Sequence, residues 1–119
     1  MSPTPYQKGR DAEYYVMGVL RNEHHYLVQR SYASRGPRGT TAAYDLLAVA
    51  PGTGRIALIE VKSKSARMSP GARKALAEYA VGYGAVPLLA HYTVESGKAV
   101  IEWNLLTLEG EQIPLADGP

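Results

Sequence analysis

Three residues in one stretch have the types and spacing to do chemistry. From Ala43 to Lys64 the chain reads AYDLLAVAPGTGRIALIEVKSK. Asp45 opens one apolar segment, Pro51-Gly52-Thr53-Gly54 makes a tight turn, and Glu60 and Lys62 close a second apolar segment. Carboxylate oxygens are hard ligands suited to Mg²⁺, with Mn²⁺ as a substitute. Asp45 and Glu60 are the expected ligands, and the backbone carbonyl of Val61 is a further candidate. A divalent ion there would neutralise a phosphate and acidify a bound water. Lys62 beside that water would orient it or stabilise charge developing on phosphorus. The implied reaction is phosphodiester hydrolysis. Strand alternation places Glu60 and Lys62 on one face, about 7 Å apart. Glu-x-Lys alone is common. The competing reading is an ion pair at the margin of a sheet.

The segments around the hairpin must position it. A helix is expected from about Pro5 to Glu23. Its Glu13, Val16, Met17 and Leu20 fall at i, i+3, i+4 and i+7 and so share a face. A carboxylate on an apolar stripe either points to the sheet and the metal site or reaches water from the stripe's edge. Tyr26 to Ser31 reads as a short strand. Residues 32–42 then form a basic, Gly-rich segment, expected to be a mobile loop at the mouth of the site. Its Arg35 and Arg38 suit phosphates, and Gly36 and Gly39 permit close backbone approach. After the hairpin, Ser69 and Pro70 mark a helix start. The helix stripe is Ala72, Ala75, Leu76, Tyr79, Ala80 and Tyr83, and Gly84 is the stop. Val86 to Tyr92 and Ala99 to Leu106 are two more strands, the first following a crossover. His24 and His25 read as surface residues and His91 as a histidine at a sheet end. The acidic tail from about 108 to 119 is expected to protect an edge or contact a subunit.

Composition narrows the class. A chain of 119 residues fits one domain spanning 1–119. With no Cys, disulfides, thiolate zinc sites and Cys nucleophiles are excluded. No apolar run reaches the roughly 20 residues that span a bilayer, and the first residues lack a signal-peptide core. A cytoplasmic protein with no membrane partner is therefore expected. Charge is unevenly placed: residues 1–74 hold 12 Lys and Arg against 5 Asp and Glu, and the remainder hold 1 against 6. A basic two-thirds containing the candidate site points to a polyanionic partner.

The ordered motifs resemble the archaeal-type Holliday junction resolvases, a branch of the PD-(D/E)xK nuclease superfamily. Lys8-Gly9 followed by Glu13 resembles the family's Lys-Gly-x-x-x-Glu opening. Arg30-Ser31 and then Ser34 resemble its Arg-Ser-x-x-Ser stretch. Asp45, Glu60 and Lys62 fall on the superfamily's catalytic positions. Tyr83-Gly84-Ala85-Val86-Pro87 resembles its turn into the next strand, and Glu102-Trp103 its late aromatic strand. Tyr44 stands where the superfamily name has Pro, Tyr14 stands where many relatives have Arg, and the 32–42 loop is longer than usual. The resemblance implies a single α/β domain of restriction-endonuclease-like fold, with a mixed central sheet of about five strands flanked by helices. It implies catalytic roles for Glu13 and Ser34, with Glu13 also near the metal. It further implies a Mg²⁺-dependent homodimer that resolves four-way DNA junctions by paired symmetric nicks, leaving 5′-phosphate ends. Lys8, Arg10, Arg30, Arg35, Arg38, Lys64, Arg67 and Arg73 are the expected DNA contacts. The alternatives are another PD-(D/E)xK nuclease, of repair or restriction type, and a non-catalytic DNA-binding module of the same fold.

Overall fold

The computed structural model describes residues 5–31 and 44–119, with side chains from Arg10 onward. Ser34, Arg35 and Arg38 lie outside the described residues, as does the side chain of Lys8. The elements are α1 (Pro5–Asn22), β1 (Leu27–Arg30), β2 (Leu46–Val49), β3 (Ile56–Ser63), α2 (Pro70–Gly82), β4 (Val86–Glu95), β5 (Lys98–Leu106) and β6 (Gln112–Pro114). Among the described residues six strands form one sheet in chain order. Neighbours are antiparallel except β3 and β4, which run parallel through the α2 crossover. This is the expected α/β architecture with one strand more than about five. The extra strand is β6, whose three residues end in Pro114 and carry no alternating pattern. Its existence depends on pairing with β5, which places Leu105 opposite Ile113.

A helix covers each face of the sheet. On β3, Ala57, Ile59 and Val61 pack with Ala12, Val16, Met17 and Leu20 of α1. Leu58 faces the other way, into a cluster with Leu76, Ala77 and Ala80 of α2 and Leu89 and Leu106 of the neighbouring strands. Burial on both faces explains why the strand is apolar almost throughout. The hairpin closes as its residue types require. Gly52 and Gly54 take φ of 80° and 71°, and Ala50 N–H donates to Arg55 O at 2.8 Å.

At the start of α2, Ser69 Oγ accepts from Ala72 N–H at 3.1 Å, and Pro70 occupies the first turn. The buried face is Leu76, Ala77 and Ala80, a narrower stripe than the sequence suggests. Tyr83 is the C-cap residue, after the helix ends at Gly82, so it leaves the stripe and is 74% exposed. Arg73 fastens the start of α2 to the β5–β6 turn: its Nε donates to Gly110 O and its Nη1 to Met68 O, each at 2.6 Å. Gly110 has a φ of 84°, and a Cβ there would lie 2.8 Å from Pro70 O.

These contacts separate two glycines that look alike in sequence. Gly110→Ala is expected to cost about 2 kcal/mol or more, from positive φ plus collision with backbone. Gly52→Ala, in open space, should cost only the conformational part, about 1 kcal/mol. Urea unfolding of both variants measures the difference, which should appear in the midpoint with little change in slope.

Candidate active site

Asp45 sits one residue before β2 and is held by three hydrogen bonds. Its N–H donates to Ile59 O and its carbonyl accepts from Ser31 N–H, both at 2.8 Å. Its Oδ2 accepts from Val61 N–H at 2.8 Å. A side-chain oxygen therefore does the work of a ladder carbonyl, and the carboxylate is fixed against the end of β3. Val61 contributes its backbone here, because its side chain is buried in the α1 core.

Glu60 lies beside this carboxylate, and its side chain is only 14% exposed. Its pKa is raised from 4.5 to about 9, first by burial, then by a hydrogen bond and Coulomb repulsion from Asp45. A hydrogen bond between two carboxyl groups requires a proton, so the pair holds one where solvated carboxylates would hold none. Lys62 Nζ approaches Glu60 Oε1 at 3.9 Å and lowers the pKa, but by less than burial and Asp45 raise it. The long contact to a partly solvated ammonium is the weaker interaction, and Glu60 keeps its proton near neutral pH. A divalent cation at the same place would replace that proton with a stronger positive charge. The donor chemistry of Asp45 and Glu60, both oxygen ligands, fits such an ion.

Glu13 does not join them as a close third ligand. Its Oε1 accepts from Arg30 Nε at 2.8 Å, and the Arg30 guanidinium also lies over the Tyr14 ring at 5.6 Å. Arg30 follows the parity of Val28, on the α1 side, whereas Glu60 and Lys62 follow Leu58 on the α2 side. Strand parity therefore places the α1 stripe and the Glu60 and Lys62 side chains on different faces of β3. Glu13 reaches Glu60 only as the smallest of the repulsions acting on it. Among the described residues, no three His, Cys, Asp or Glu side chains are grouped to hold a metal ion.

The basic residues divide by occupation. Arg73 is committed to two carbonyls, as above, and Arg30 to Glu13. Arg67 is exposed and gives Nη1 to Lys64 O and Ala66 O at 3.2 and 3.1 Å. Its Nε and Nη2 make no hydrogen bond to another described residue. Lys64 is exposed just after β3, and Arg10 is half-buried on α1. Tyr44 stacks on Tyr79, with ring centroids 6.3 Å apart. Sequence reasoning missed His91, which approaches Lys64 O at 2.6 Å and Arg67 Nη1 at 3.2 Å. Only the pairing of Lys62 with His91 across β3 and β4 could have found it.

No family model matches the sequence, and no curated protein matches it. Among solved structures the fold is similar to that of Archaeoglobus fulgidus Hjc, a Holliday junction resolvase from an archaeal hyperthermophile. The TM-score is 0.60 at 18% identity, over 85% of this chain and 73% of that one. The chain therefore has the fold implied by the resolvase resemblance.

The Glu60 pKa gives a signed pH dependence. The unfolded chain ionises Glu60 near 4.5 and the folded chain near 9, so the fold favours the protonated form. Its contribution is fully present below about pH 4.5 and is lost as pH rises toward 9. In EDTA, thermal unfolding of the wild type should lose roughly 5 °C or more between pH 6 and 9 relative to Glu60→Gln. Mg²⁺ at pH 9 should raise the wild-type midpoint and leave that of the variant nearly unchanged.

Proposed function

We propose that this protein is a Mg²⁺-dependent endonuclease that resolves four-way DNA junctions. The observation that carries the reading is the half-buried Asp45–Glu60 pair, with Lys62 two residues beyond Glu60, on a resolvase-like fold. A structural carboxylate pair at a sheet margin is more economically satisfied by water. Two acids held together with a proton between them suit a divalent cation and a phosphate.

In this reading Asp45, Glu60 and the Val61 carbonyl would hold Mg²⁺ or Mn²⁺, and the ion would supply an acidified water and charge neutralisation at the phosphate. The Val61 N–H fixes the Asp45 carboxylate before substrate arrives, so little reorganisation is required. Lys62 stands on the same strand face and stabilises charge developing on the phosphate oxygens. Glu13, oriented by Arg30, adds negative potential near the pair. Arg67 offers Nε and Nη2 to a backbone phosphate, and Lys64 and Arg10 add charge. Lys8, Arg35 and Arg38 complete the proposed phosphate contacts, and Ser34 belongs to the proposed catalytic centre. Arg73 has a structural occupation that accounts for it without DNA. Cleavage leaving 5′-phosphate ends, by a homodimer cutting opposed strands, completes the proposal, and a DNA-processing role suits the cytoplasm.

Cleavage of a four-way junction, a flap and a plain duplex, side by side with Mg²⁺, tests the reading. The junction should be nicked at symmetric positions in opposed strands. Asp45→Asn should bind it within about threefold of wild type and cut it at least about a hundredfold more slowly. Equal cutting of plain duplex would reassign the protein to a general or restriction-like nuclease. Binding without cutting in Mg²⁺ and Mn²⁺ would make it a DNA-binding module.

Phosphate contacts are read separately through salt. Joint Arg35→Ala and Arg38→Ala substitution should weaken junction binding and flatten the slope of log K against log salt by up to about 2, near one unit per lost contact. An unchanged slope removes residues 32–42 from the DNA surface.

A further inference from the structure

The strand that carries Glu60 and Lys62 ends in a strained turn. Lys64 has a φ of 56°, a left-handed conformation that side-chain-bearing residues disfavour. Three contacts hold it there. Lys64 N–H donates to Tyr92 O at 3.0 Å. Lys64 O receives His91 Nε2 at 2.6 Å and Arg67 Nη1 at 3.2 Å.

The proton positions follow from these partners. A carbonyl 2.6 Å from Nε2 accepts only if Nε2 carries hydrogen. Arg67 Nη1 lies 3.2 Å from the same ring nitrogen, but a protonated nitrogen cannot accept from it. The two Nη1 hydrogens go instead to Lys64 O and Ala66 O. The close His91–Arg67 approach is thus a consequence of two donors converging on one carbonyl. The shorter of the two comes from the shorter, stiffer side chain.

Strand register places this anchor next to the candidate chemistry. His91 is the β4 partner of Lys62, and its own partner on β5 is Glu102. Adjacent strands are about 4.8 Å apart, so Lys62, His91 and Glu102 form one row across the sheet. We infer that His91 is a positioning residue of the candidate active site: its Nε2–H holds the Lys64 carbonyl and so fixes the end of β3 that presents Glu60 and Lys62. The catalytic consequence rests on the nuclease reading, whereas the anchor does not. Without His91, the carbonyl keeps one long contact from an exposed arginine, and the turn can relax. A misplacement of about 1 Å near reacting groups costs roughly a hundredfold in rate. Lys64 and Arg67 belong to the same turn, so junction affinity falls as well, and turnover at saturating junction isolates the catalytic effect.

His91→Ala and His91→Gln test this, because a Gln amide can donate to the same carbonyl. Amide exchange followed by NMR reads the anchor directly. In His91→Ala, Lys64 N–H should exchange at least about tenfold faster, while Leu115 N–H, bonded to Trp103 O, stays at the wild-type rate. Turnover at saturating junction should fall about ten- to a hundredfold, beyond any weakening of the dissociation constant. His91→Gln should recover both exchange and turnover. Unchanged Lys64 exchange in His91→Ala overturns the inference. So does faster exchange with wild-type turnover, or a Gln variant that recovers neither. If the wild type cuts no DNA, the nuclease reading falls and the assigned catalytic consequence falls with it, while Lys64 exchange still decides whether His91 anchors the turn.

Discussion

Two carboxyl groups held side by side in a half-buried space are the constraint on which this structure turns. Neither could stay in place by itself. Asp45 is fixed because its side chain takes the Val61 N–H while its backbone bridges Ser31 and Ile59. Glu60 is fixed because it lies on a strand covered on both faces. The result opposes ionisation of Glu60, and a fold optimised only for stability would place Gln or an apolar residue there. An acid at a site that disfavours its charge supports the proposed chemistry. The surrounding order, from the α1 core to the β3–β4 pairing, keeps the two acids in register.

The cations show a second division. A sequence rich in Lys and Arg invites the reading that all of them face DNA. The folded chain spends several on itself. Arg30 neutralises Glu13, Arg73 ties α2 to the turn at Gly110, and Arg21 donates to Val28 O at 3.0 Å. Each such bond to a partly buried acceptor contributes about 1–3 kcal/mol and removes donors from the surface. Arg67 is intermediate, since one nitrogen holds the chain while the others remain available. Basic charge therefore indicates a polyanion only after these internal occupations are subtracted.

Much of the local structure is legible in the residues. The Pro-Gly-Thr-Gly turn requires positive φ, Ser69-Pro70 is a start signal, and β3 alternates between two covered faces. The boundaries of α1 and α2 follow within a residue or two. β6 is not legible, because three residues ending in proline have no pattern of their own. Tyr83 is misleading because periodicity continues one step after the helix has stopped. The side of the sheet on which Glu13 lies is also hidden, since a helical stripe does not reveal which strand face it will cover.

The sequence by itself determined the candidate hairpin, because Asp45, Glu60 and Lys62 are joined by a short turn whose geometry is local. It also determined the α/β class, through helices alternating with apolar strands. Only the tertiary structure decided partners and charge states. Glu13 meets Arg30 across 17 positions, His91 meets Lys64 across 27, and Arg73 meets Gly110 across 37. Those pairings depend on register and on the α2 crossover, which no local pattern encodes. The proton on Glu60 depends on burial, and burial exists only once both helices have closed over the sheet.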